Sequence, residues 1–157
     1  MKALMCVPNI SEGTDPAVVE KVVDTVRSTK GVLLLDYSSN EDHNRSVITY
    51  IGEPEPVVAA SKKLAKTALE LIDMTRQNGS HPRQGAVDVV PFIPIRGITQ
   101  KESVDIARGF GRWVGSELGV PVYFYEDAAT RPERQSVAKV RKGQYEGLSE
   151  KIKQSEW

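Results

Sequence analysis

The chain has 157 residues, enough for one domain with its own hydrophobic core and no need of a second. Its 21 Lys and Arg balance 21 Asp and Glu, so the formal net charge is zero and no global field draws it onto nucleic acid or an anionic membrane. One cysteine, Cys6, excludes an internal disulfide and points to a reducing, cytoplasmic setting, and no apolar run is long enough for a signal peptide or a membrane span.

Residues 3–7 read as a buried first strand ended by Pro8, with the polar loop Asn9-Ile10-Ser11-Glu12-Gly13 behind it. A helix follows over residues 16–30: Asp15 is its N-cap, Pro16 takes the first helical position, and Val18, Val19, Val22, Val23 and Val26 share one face. Residues 32–37 form a second strand, whose unbroken Val32-Leu33-Leu34-Leu35 run predicts cover on both faces. A polar turn then leads into a third strand at 46–51, pairing with the second as an antiparallel hairpin. Beyond the breaker Gly52-Glu53-Pro54-Glu55-Pro56, Val57, Ala60, Leu64, Ala68 and Leu71 recur at helical spacing and predict a helix over 56–74.

Next comes Asn78-Gly79-Ser80-His81-Pro82-Arg83-Gln84-Gly85, and then an apolar run over 86–95. Pro91 and Pro94 make that run an edge, bulged or bent strand, its regular part ending near Phe92. Thr99-Gln100-Lys101-Glu102 is a capping box that opens a helix over 100–118, closed by Gly119 with Pro121 beyond it. Residues 122–125 predict one more strand, and a charged tail with short helical turns runs through Arg141 and again over 146–153. The order is that of a split βαβ unit. It predicts an α+β, ferredoxin-like core with a mixed β-sheet and its helices on one face. Because the first two strands are apolar without alternation, the opposite face is expected to be covered by a second copy, as in a homodimer, or by a separate subdomain.

Few chemistries survive inspection of the residues. His43, His81 and Cys6 are the only nitrogen or sulfur metal ligands and stand in no ligand spacing, so no metal site is expected. No phosphate-binding glycine motif follows a strand, no nucleophile elbow exists, and Cys6 in a buried strand is a poor nucleophile. There remain polar groups at strand ends: Asn9, Ser11 and Glu12; His43, Asn44 and Arg45; His81 and Arg83. Gly79 and Pro82 hold His81 on a stiff, extended support, and an imidazole with an ordinary pKa of about 6.5 accepts and returns a proton near neutrality. Arg45 and Arg83 suit the carboxylates of an acidic small molecule. The residues alone leave open a histidine that merely caps a strand and arginines in surface ion pairs.

The segments Met5-Cys6-Val7-Pro8-Asn9-Ile10-Ser11-Glu12-Gly13, His43-Asn44-Arg45-Ser46-Val47, Leu71-Ile72-Asp73-Met74, Gly79-Ser80-His81-Pro82-Arg83 and Pro91-Phe92-Ile93-Pro94-Ile95-Arg96-Gly97 resemble the N-terminal subdomain of the formiminotransferase family. The likeness continues through Gly119-Val120-Pro121-Val122-Tyr123 and Glu150-Lys151-Ile152-Lys153-Gln154-Ser155-Glu156-Trp157. It implies transfer of a formimino group from N-formimino-L-glutamate to N5 of tetrahydrofolate, within histidine degradation and one-carbon metabolism. Tetrahydrofolate is then a co-substrate and no metal takes part. His81 is the implied general base, and Asn9, Ser11, Arg45 and Arg83 are the expected substrate-binding residues. The family often carries an acidic residue where this chain has Met5 and Ser80, and an aspartate where it has Ser38. In the family a second subdomain follows the position of Trp157, N-terminal halves dimerise, and folate lies between the two halves of one chain. The expected state is therefore a homodimer that offers one wall of the folate tunnel and transfers little alone. A non-catalytic homologue acting in ligand binding or assembly is the alternative.

Overall fold

Pro8 interrupts the first strand rather than ending it. In the computed structural model, which describes residues 1–155 and 157, the chain pairs as β1 (Ala3–Cys6), skips two residues and pairs again as β2 (Asn9–Ile10). Glu156, part of the C-terminal likeness, lies outside the described residues. The last strand breaks in the same way, into β5 (Val87–Val89) and β6 (Phe92–Arg96) around Val90 and Pro91. Pro94 lies within β6, so the strand runs past Phe92, where the sequence reading ended it. That is permitted because β6 pairs only with β1 and its other edge needs no donor.

Between these broken strands lie α1 (Pro16–Arg27), β3 (Val32–Asn40), β4 (Arg45–Gly52) and α2 (Pro54–Leu71). The sheet runs β3, β4, then β1 with β2, then β6 with β5, the split βαβ order. The α+β class holds, but the expected mixed sheet is corrected: every pairing is antiparallel. Each helix returns the chain so that the strands it joins run parallel, yet a third strand always lies between those two.

The helices take one face. Leu4, Cys6, Ile48 and Tyr50 have no exposed surface and pack with Val22, Val23 and Val26 of α1 and Val57, Ala60, Leu64 and Ala68 of α2. Each such burial is worth about 1.5–3 kcal/mol for a large side chain. The capping box at Thr99 and Glu102 opens α3 (Gln100–Trp113), which continues into one π-helical turn at Val114–Leu118. On the same face, Ser103 Oγ of α3 donates to the Phe92 carbonyl at 2.8 Å and the Phe110 ring meets Phe92 edge-on at 5.4 Å.

The opposite face is bare in this chain. Leu33 stands opposite Ile51, Ile51 opposite Met5, and Met5 opposite Ile93, an apolar row across four strands. Leu33 is 62% exposed, Leu35 49% and Ile95 52%. The Val32–Leu35 run is thus not covered on both faces. Val32 and Leu34 pack on the core while Leu33 and Leu35 look outward.

Further differences from the sequence reading lie in the helices and at residues 122–125. The helix expected over 16–30 stops at Arg27, where the hydroxyls of Thr25, Ser28 and Thr29 bond back to carbonyls in the preceding turn. The helix expected over 56–74 starts at Pro54 and ends at Leu71, because Ile72 turns extended and enters the core with Met74. Residues 122–125 pair with no strand. The Phe124 ring lies so close to Gly111 of α3 that a Cβ there would sit 2.4 Å from Phe124 Cε1, so side-chain packing replaces ladder bonding. The tail adds α4 (Val137–Arg141) and α5 (Leu148–Lys151), tied together where Lys151 Nζ donates to the carbonyls of Lys139, Val140 and Lys142.

Candidate functional site

Three connections meet at one end of the sheet: the segment after β2, the turn between β3 and β4, and the loop before β5. Their approach is close enough to demand glycine. A Cβ on Gly79 would lie 2.2 Å from the His43 carbonyl oxygen, and one on Gly13 would lie 2.4 Å from that of Asn40. Ser80 N donates to the Asp42 carbonyl at 3.0 Å, which fixes the His81 loop against the β3–β4 turn. On the other side Asn44, left-handed at φ 50°, accepts from Gly13 N at 2.8 Å and donates to Gln77 Oε1.

Asn9, Arg45 and His81 are thereby brought together. Asn9 Nδ2 donates to the Val7 carbonyl at 3.1 Å, which turns its oxygen toward β4. That oxygen accepts from Arg45 Nε at 2.7 Å and also from Arg45 Nη2. Arg45 Nη1 meets His81 Nε2, and the other ring nitrogen, Nδ1, lies 2.6 Å from the Pro82 carbonyl oxygen. A carbonyl only accepts, so Nδ1 carries the hydrogen and Nε2 carries the lone pair. Burial holds the His81 pKa below the ordinary histidine value, helped by the charges of Arg45 and Arg141 against the opposing pull of Pro82 and Asp88. The imidazole is neutral at neutral pH. The His43 ring stands 5.7 Å away, tilted by 58°.

The other two expected site residues point elsewhere. Ser11, buried, donates from Oγ to the Gly85 carbonyl at 2.7 Å and ties the first loop to the base of the His81 loop. Arg83, also buried, turns inward: Nη2 donates to the Gln77 carbonyl and to Glu146 Oε1, both at 2.6 Å, and Nη1 reaches Gln144 Oε1 and Glu146 Oε2 at 3.2 Å.

Around this cluster stands a polar shell that the sequence reading did not assign to the site. Glu12 accepts from Thr14 N, Thr14 Oγ1, Asp15 N and Gln77 Nε2 at 2.8–3.0 Å. Burial alone would raise its pKa, but these bonds outweigh it and hold the carboxyl below its ordinary value. Asp88 accepts from Gln84 N at 2.7 Å and pairs with Arg141. Glu12 was visible as a strand-end carboxylate, whereas nothing local in the sequence marked Gln77, Asp88 or Arg141.

A larger cavity of about 700 Å³ opens between α2, the β5–β6 strand, α3 and the tail. Its walls are mainly apolar, with Leu69, Val90, Phe92, Val104, Phe110 and Val122 among them. Size does not make it the reactive centre, because the neutral base and its guanidinium lie in the smaller depression beside it, which shares the Asp88 wall.

The arrangement offers a neutral nitrogen base and an adjacent cation that, among the described residues, forms no ion pair with a carboxylate, suited to taking a proton from an acidic small molecule. The family described as Formiminotransferase domain, N-terminal subdomain, matches residues 3–157. Glutamate formimidoyltransferase of Streptococcus pyogenes serotype M1 is 51% identical over 156 residues, 99% of this chain and 52% of that protein. The glutamate formimidoyltransferase of Thermoplasma acidophilum is 43% identical over 159 residues, again 52% of its length. Formimidoyltransferase-cyclodeaminase of Sus scrofa is 49% identical over 152 residues, 97% of this chain and 28% of the longer protein. The chain thus spans about half the length of the transferases that it matches.

Proposed function

This chain belongs to the formiminotransferase family, as an N-terminal subdomain, and on that premise we propose that it supplies the base-bearing half of a formimino transfer. The donor is N-formimino-L-glutamate and the acceptor is N5 of tetrahydrofolate, bound as co-substrate without a metal. One observation carries the reading: His81 presents an unprotonated Nε2 on a ring fixed by the Pro82 carbonyl.

As N5 attacks the amidine carbon, a new C–N bond forms and N5 becomes cationic. His81 Nε2 takes its proton, and the imidazolium then returns a proton to the glutamate nitrogen as the old C–N bond breaks. Arg45 is the group for a donor carboxylate, with Asn9 holding the guanidinium from behind. Ser11 and Arg83 support the loop from within.

The open sheet face supports a second element of the reading. The row Leu33, Ile51, Met5 and Ile93 is covered by a second copy of the chain, by the remaining half of the longer transferases, or by both in different regions. The chain alone is then a homodimer with weak folate binding and little transfer. Light scattering and a formimino-transfer assay on the isolated chain test both parts: a strict monomer removes the first, and full activity without a partner removes the second. In the assembled enzyme His81→Ala is expected to lower turnover about 100-fold with little change in KM, and unchanged turnover refutes the base.

A further inference from the structure

The base itself is not free. Arg45 spends Nε and Nη2 on the Asn9 carboxamide oxygen and Nη1 on His81 Nε2, the nitrogen that must take the proton. Both partners are neutral acceptors. Among the described residues no carboxylate lies within ion-pair distance of Arg45, although one carboxylate, Asp88, is near enough to be felt and is held by Arg141. A guanidinium bonded only to neutral acceptors favours exchanging one for a carboxylate, since a charge-assisted bond is roughly twice as strong as a neutral one. Asn9 engages the Nε–Nη2 edge, so an incoming carboxylate is left the Nη1–Nη2 end and draws on the same nitrogen that faces His81.

We propose that Arg45 masks His81 and that a substrate carboxylate unmasks it, making base strength conditional on an acidic donor. This rests on the reading of His81 as the base. Arg45 acts here through His81 and is a positioning residue. The groups that bear on His81 are Arg45 on β4, Arg141 on α4, Asp88 on β5 and the His43 ring in the β3–β4 turn. Only Arg45 contacts the proton-accepting nitrogen and lacks a carboxylate of its own. A carboxylate at Arg45 removes the hydrogen bond to Nε2 and offsets a positive charge, and both changes raise the affinity of His81 for a proton.

The test uses the 157-residue chain with ¹⁵N-labelled histidine, His43→Gln serving to assign the two rings. Glutarate is the probe and glutaramide, the same skeleton without charge, is the control. With glutarate the His81 titration midpoint shifts upward. Above the titration, the Nε2 resonance moves downfield toward that of a nitrogen accepting no hydrogen bond. Glutaramide does neither. In Arg45→Gln the midpoint is already raised and glutarate adds nothing. An unmoved midpoint or an unmoved Nε2 resonance with glutarate overturns the proposal, as does an equal response to glutaramide or a full response in Arg45→Gln. The wild-type measurements stand even where the variant does not fold. Turnover of His81→Ala in the assembled enzyme judges the base separately, so a failed mask with a lost turnover leaves the function standing.

Discussion

Arg45 and Arg83 flank the same histidine loop, match the same requirement for an acidic ligand in the sequence, and occupy opposite situations in the fold. Arg83 is buried, its two terminal nitrogens closed on the Gln77 carbonyl, Gln144 and Glu146. Arg45 is half-buried, bonded to a carboxamide and an imidazole, with no carboxylate of its own. An arginine whose donors are spent on the chain fixes the chain, and one with donors left and no counter-charge is available to a ligand. Residue type fixes neither role; the acceptors within reach do.

The contrast breaks first at Arg83. Arg83→Ala leaves the half-buried Gln77 carbonyl without its donor, and the expected loss is about 2 kcal/mol of unfolding free energy. Little of that comes from the Glu146 pair, whose acid is largely in water. Urea denaturation checks it, and a change under about 0.5 kcal/mol, the range of ordinary surface substitutions, would place Arg83 with Arg45. Arg45→Ala is expected to weaken binding of a dicarboxylate about tenfold, equivalent to about 1.4 kcal/mol, with a much smaller change in stability. Calorimetric titration beside a urea curve separates the two, and a stability loss as large as that of Arg83→Ala erases the distinction.

A smaller effect sharpens the picture of the shell that carries both loops. Glu12→Gln weakens charge-assisted bonds to Thr14, Asp15 and Gln77, and about 1 kcal/mol of stability is expected to go with them at pH 7. The Glu12 carboxyl is held below its ordinary value of 4.5, so its contribution is present above that value and is lost as pH falls through the folded pKa. Wild type and variant should therefore converge in acid denaturation profiles once the pH has fallen below the folded pKa of Glu12. A gap that persists there would mean the side chain acts through shape rather than charge.

What the sequence disclosed follows the range of the forces involved. Asp15 before Pro16, and Thr99 three residues before Glu102, carry their reasons within one helical turn, and both caps form. His81 stood out because Gly79 and Pro82 constrain it locally, and Asn9 and Arg45 because strand ends gather at one edge. The Arg83 clamp was illegible: its partners Gln144 and Glu146 lie 61 and 63 residues away in a tail with no periodic signal. The run Val32–Leu35 misled for a related reason. An unbroken apolar strand means cover on both faces, and at Leu33 and Leu35 this chain does not supply that cover itself. Residues 122–125 have strand composition, but Gly111 offers Phe124 a seat on α3, and packing overrode propensity.

The β5–β6 strand bears on how one edge of the sheet is protected from pairing with another chain. An unprotected strand edge recruits another and another, and growth in that direction has no natural end. Pro94 takes one donor from β6, whose far edge pairs with no strand, so lateral recruitment along that edge finds an interrupted template. A two-fold partner seated on the apolar row Leu33, Ile51, Met5 and Ile93 would consume the exposed surface of both molecules at once and end growth at a pair. On the β6 side the exposed face therefore favours face-to-face pairing over edge-to-edge growth.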